Sequence, residues 1–135
     1  MVHLTRRVTF NAAHKLAVAD WSPERNTETF GKCSNPNWHG HNYTLLVTVK
    51  GEPHPVTGFV MDAKQLKDLI EAEVVDHLDH RNLNLDVDWM RGVQPTTENI
   101  AVAIWGRLAP KLVGCQLHRV RLVETENIFA DYYGE

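Results

Sequence analysis

Long apolar runs are missing from this sequence. None approaches the ~20 residues that a membrane-spanning helix needs, and the opening MVHLTRRVTF lacks the apolar stretch of a signal peptide. Cysteine is scarce, with only Cys33 and Cys115, too few for a disulfide scaffold in a chain of 135 residues. Both absences favour a reduced, cytoplasmic setting without a membrane partner. A basic surplus is missing too: 14 Lys and Arg stand against 17 Asp and Glu, a formal net charge of -3. That argues against a general nucleic-acid binder, although a local anion pocket stays open. There is no low-complexity tract, no internal repeat and no linker. Residues 1–135 therefore read as one domain.

Histidine is abundant. Eight occur, and His14, His39, His41, His77 and His80 stand beside polar residues. Residues 4–14 alternate so that Val8, Phe10, Ala12 and His14 share one face of a strand. Residues 15–37 carry Pro23, Gly31 and Pro36 among polar residues and read as one long loop. HGHNYTLLVTVKG (39–51) reads as a second strand ending at Gly51. Asp62 is placed to cap a helix over 63–78, with Leu66, Leu69, Ile70, Val74 and Leu78 at helical spacing. HRNLNLDVDWMRGVQP reads as irregular. Thr96 or Thr97 begins a second helix striped by Ile100, Ile104 and Leu108. HRVRLVET and NIFADYYGE read as two strands joined by a tight turn at Thr125–Asn127. The order β-β-α-α-β-β is an α+β arrangement, with two helices on one face of a four-stranded sheet. Its free edges are suited to pairing in an oligomer.

His39 and His41 lie two apart, so on a strand both rings face the same side, and Gly40 crowds nothing between them. If the first two strands pair, His14 joins them. Three neutral imidazoles suit Zn²⁺ and leave a fourth position open. The alternative is a set of surface histidines at a loop–strand junction. Cys33, in a polar loop, is a candidate reactive thiol if a nearby cation or histidine lowers its pKa, or else a fourth zinc ligand. Cys115 precedes a strand and reads as structural. Asp79 stands directly before His80, a pairing that can orient an imidazole. Adjacent helical residues, however, do not face each other, and a histidine at a helix C-terminus also suits the helix dipole. Glu98 is either a first-turn acid or a ligand group. Glu124 shares a strand face with Val120 and Leu122, so it either reaches solvent or needs a partner there. A carboxylate matches the two parallel donors of an N–C–NH2 edge, as in guanine or a pterin.

Five blocks in order, FNAAH (10–14), GKCSNPNWHGHNY (31–43), LDHRNLN (78–84), PTTEN (95–99) and VET (123–125), resemble the 6-pyruvoyltetrahydropterin synthase family. The resemblance runs from about residue 6 to the C-terminus. It implies the T-fold (tunnelling fold), in which three subunits close an oligomeric barrel and two trimers stack into a homohexamer. It implies that His14, His39 and His41 hold zinc, and that Cys33 is the general base. Asp79 and His80 from a neighbouring subunit would complete the catalytic set. It implies Glu124 as the pterin anchor, with Thr96, Thr97 and Glu98 near the ring. The implied activity is a lyase reaction that turns 7,8-dihydroneopterin triphosphate into 6-pyruvoyl-tetrahydropterin. Lys15, Arg25 and Lys32 flank the loop and are candidates for the triphosphate.

Sister 6-carboxytetrahydropterin synthases share the HGHNY and TEN blocks. Here Cys33 precedes the first histidine of the HGH pair by six positions, a spacing that resembles the animal-type pyruvoyl enzymes. Asn35–Asn37 and the C-terminal Tyr-x-Gly-Glu lean the same way. Trp38 departs from the glycine expected before His39, where a bulky indole would narrow the pocket or stack on the substrate. The rival readings are a carboxy synthase, a non-catalytic pterin- or metal-binding T-fold protein, and a zinc hydrolase.

Overall fold

The computed structural model describes all 135 residues. β1 (Val2–His14) and β2 (His39–Gly51) pair antiparallel along their whole length, from Val2 opposite Gly51 to His14 opposite His39. Between them, Leu16 N–H donates to the Cys33 carbonyl at 2.8 Å and ties the connecting segment to the strand end. That segment is not a plain loop. It holds α1 (Pro23–Phe30) and a 3₁₀ turn at Gly31–Ser34. Ser22 caps α1 by accepting from the Arg25 N–H at 3.1 Å, and Pro23 opens its first turn. No residue of α1 is buried, so the helix leaves no apolar stripe in the sequence to reveal it.

α2 (Ala63–Ile70), capped by Asp62, runs through a π-helical turn at Glu71–Val75 into the short α3 (Asp76–Leu78). The wider turn still keeps Val74 and Leu78 on the buried face with Leu66 and Ile70. The stretch expected to be irregular contains β3 (Arg81–Asn82), two residues parallel to β1. α4 (Thr97–Leu108) follows, and Thr96 is its cap, accepting from Asn99 N–H at 3.2 Å. β4 (Gln116–Thr125) and β5 (Ile128–Tyr132) complete the sheet. The strand order is β3-β1-β2-β4-β5. The four expected antiparallel strands are all present, and β3 adds a short parallel edge that makes the sheet mixed.

One face of the sheet carries Phe10, Tyr43, Leu45, Val47, Val49, Val120 and Leu122, all buried against α2, α3 and α4. The alternate positions of β1, from His3 to Asn11, are exposed. His14 lies at the end of the buried row, where the apolar core gives way to nitrogen ligands. The C-terminus closes on α4, with Gly134 (φ +83) so near Trp105 that a Cβ would clash with the indole ring. No helix is long and apolar enough to cross a membrane.

Candidate metal centre and catalytic residues

Strand alternation brings the three histidines together. His14 and His39 face each other across the β1–β2 pair, and His41 lies two residues further along β2. One ring nitrogen from each falls within 4.8 Å of the other two. Small rotations close such a spread onto one ion held about 2.1 Å from each nitrogen. Gly40 allows this approach: a Cβ there would lie 3.1 Å from the Ala12 carbonyl oxygen.

The fit to a cation rests on unpartnered nitrogens. His14 Nε2, both ring nitrogens of His39, and His41 Nε2 are shielded from water and have no hydrogen-bond partner. Buried polar atoms in that condition ask for a ligand. His14 also has its tautomer set, since Nδ1–H donates to the Pro95 carbonyl at 2.7 Å and leaves Nε2 as a free lone pair. Burial lowers the pKa of His14, His39 and His41 below the ordinary value, outweighing the opposing pull of Glu124. Neutral imidazoles at neutral pH are the form that binds metal.

Glu124 joins this corner from β4. Its Oε1 lies 3.5 Å from both His14 Nε2 and His41 Nε2, a distance of contact rather than of hydrogen bonding. The face shared with Val120 and Leu122 was visible in the sequence; the contact with the histidines was not. Tyr43 fills the space behind, its ring 5.6 Å from that of His41. Pro95 was also missed as a partner of His14, because a carbonyl leaves no side-chain signal.

Cys33 is half-buried on the 3₁₀ turn, and its thiol lies outside the histidine group. Burial raises its pKa, and the Glu124 carboxylate raises it further. The lowering foreseen from a neighbouring cation is therefore not supplied within this chain. Thr96 is used as a helix cap, Thr97 is buried, and Glu98 is exposed in the first turn of α4. Arg25 stacks on Trp21 at 3.8 Å, Lys15 lies 5.4 Å over Trp38, and Lys32 is exposed.

Asp79 and His80 form a real pair, because α3 ends at Leu78 and Asp79 just beyond it is extended. His80 Nδ1 lies 2.9 Å from Asp79 Oδ2, with His80 in a left-handed conformation (φ +59). The Asn11 N–H donates to Asp79 Oδ1 at 2.9 Å; that bond, aided by His80, lowers the Asp79 pKa. The pair lines an open groove of about 510 Å³ with Arg7, Thr9, Asn11 and Asn42, on the exposed side of the sheet. It does not converge with Cys33 in one chain.

A three-histidine corner built from a β1–β2 pair, beside a thiol and a carboxylate, defines a T-fold protein equipped to hold a metal ion. The 6-pyruvoyl tetrahydropterin synthase family profile matches residues 3–135, and the chain belongs to that family. It is 47% identical over 132 residues to the 6-pyruvoyl tetrahydrobiopterin synthase of Pongo abelii, covering 98% of this chain and 91% of the relative. The solved 6-pyruvoyl tetrahydropterin synthase of Caenorhabditis elegans superposes with a TM-score of 0.93 at 38% identity, over 99% of this chain and 96% of that one. A 6-carboxy-5,6,7,8-tetrahydropterin synthase from Rickettsia bellii is more distant, at 27% identity over 97% of this chain and 99% of its own length.

Proposed function

We propose that this protein is a zinc-dependent lyase that converts 7,8-dihydroneopterin triphosphate into 6-pyruvoyl-tetrahydropterin and triphosphate, for tetrahydrobiopterin-type synthesis. The observation that carries the reading is the convergence of unpartnered histidine nitrogens beside Glu124, in the chain order of the family. His14, His39 and His41 would hold the zinc, which supplies Lewis acidity toward the hydroxyl oxygens of the substrate side chain.

The remaining chemistry belongs to the chain. Glu124 accepts the two parallel N–H donors of the pterin edge and fixes the ring, with Thr96, Thr97 and Glu98 near it. Cys33 takes the proton from the side-chain carbon as general base. Its raised pKa makes help from a neighbouring group necessary, which a bound metal's charge would supply together with His80 as proton partner. Asp79 holds His80 by the 2.9 Å contact and orients its ring. Because this pair is exposed and apart from Cys33, it serves the site of a neighbouring subunit. Loss of triphosphate and return of the proton along the side chain balance without an external oxidant.

The assembly we propose is a homohexamer in which barrel closure covers the sheet edges at β3 and β5, including exposed Ile128 and Phe129. The setting is cytoplasmic, with neither nucleic acid nor membrane as partner. Incubation of the purified protein with 7,8-dihydroneopterin triphosphate, followed by mass identification of products, tests the reaction. The pyruvoyl product supports it. Acetaldehyde with a carboxy product would identify the sister activity instead, and no turnover would leave a binding protein.

A further inference from the structure

Two residues other than glycine adopt a left-handed backbone, His80 and Trp38 (φ +64). His80 belongs to the proposed catalytic pair. Trp38 has no part in that chemistry, yet a bulky side chain is disfavoured in this region and persists where its surroundings dictate it. The turn Asn35–Trp38 imposes it: Trp38 N–H donates to the Asn35 carbonyl at 3.3 Å, and β2 begins at the next residue.

The β1–β2 register then sets what the indole meets. His14 is opposite His39, so Lys15, which follows one, and Trp38, which precedes the other, flank the paired histidines. The Lys15 ammonium lies 5.4 Å over the Trp38 ring. Its backbone is clamped on both sides by Asn84, which accepts from Lys15 N–H at 3.0 Å and donates to the Lys15 carbonyl at 2.8 Å. No carboxylate pairs with the ammonium. Lys15 is the only charged side chain lining a cleft of about 400 Å³ that it shares with Trp21, Asn26, Thr27 and Ser34. Asn26 is already committed to the Val18 backbone in both directions.

We propose that Trp38 is a positioning residue that holds the Lys15 ammonium at this cleft, where Lys15 binds the polyphosphate group of the substrate. A lysine carries large side-chain entropy, and stacking it on a fixed indole removes part of that cost before an anion arrives. The inference rests on the proposed reading of a phosphorylated substrate at this site.

The test is calorimetric titration of inorganic triphosphate into the oligomer as purified, with metal content measured before and after. K15M weakens binding about tenfold, the scale of one charged hydrogen bond. W38G weakens it about three- to fivefold, the scale of one cation–π contact. W38F, which keeps an aromatic face and the fold, restores most of the loss. In a K15M background W38G has no further effect, and in turnover W38G raises KM by more than it lowers kcat. Wild-type affinity in W38G, or an equal loss with and without Lys15, overturns the proposal. If the binding pattern holds while dihydroneopterin triphosphate is not turned over, the proposed function fails and this inference stands. If turnover is as proposed and W38G binds like wild type, only this inference fails.

Discussion

The histidine corner and the Asp79–His80 pair are both hung on β1, yet they are built in opposite ways. His14 exposes 1% of its side chain and donates to a carbonyl behind it, whereas His80 exposes 82% and is steered by a carboxylate. The histidine corner continues the core row of Phe10 and Ala12; the pair grips the backbone of Asn11 and lines the exposed groove. Burial keeps the first set neutral, as metal binding requires. Exposure leaves the second set an imidazole free to meet another chain. The contrast teaches that the three histidines converge within one chain, whereas the proton-handling set, as we propose it, is shared between chains.

The sharpest break in that comparison is removal of a ligand. H39A should reduce bound metal to below about one-tenth of wild type, read by elemental analysis, since a structural ligand counts for more than the 10–100-fold of its supporting groups. C33A comes next: kcat falls about 10³-fold, within the range of a lost general base, while metal content stays as in wild type. Loss of metal from C33A would make Cys33 a ligand rather than a base. D79N should lower kcat by about 10²-fold with metal content unchanged, because the imidazole loses its orienting acceptor.

The smallest effect lies outside both regions. Asp131 on β5 accepts from Arg121 Nε and from Arg121 Nη2, both at 2.7 Å, on β4. The Arg121 hydrogen bonds lower the Asp131 pKa despite its partial burial. A depressed folded-state pKa gives stability that is present above the ordinary carboxylate value and lost as pH falls through the folded value. D131N should therefore cost about 1 kcal/mol at pH 7. In urea denaturation that difference should shrink toward zero below about pH 4, and a pH-independent difference would assign the loss to packing.

The histidine corner was legible in the sequence because strand periodicity carries it: Val8, Phe10, Ala12 and His14 alternate, and H-G-H repeats the period across the pair. The same period put Glu124 on the right face. α1 was not legible because none of its residues is buried, although Ser22 and Pro23 carried its start signal. β3 is two residues long and has no pattern to read. The Asp79–His80 contact was hidden because it needs a helix end and a left-handed histidine, which periodicity does not encode. The turn that forces Trp38 into the same conformation was invisible for a similar reason.

The divided site is the central claim, and subunit complementation tests it most directly. C33A and D79N, each nearly inactive, are dissociated, mixed in equal amounts and reassembled. If Cys33 of one chain works with Asp79 and His80 of another, about a quarter of wild-type activity should return, since random assembly joins intact halves at one junction in four. A mixture that stays as inactive as its parents, after subunit exchange is verified by mass, would contradict it.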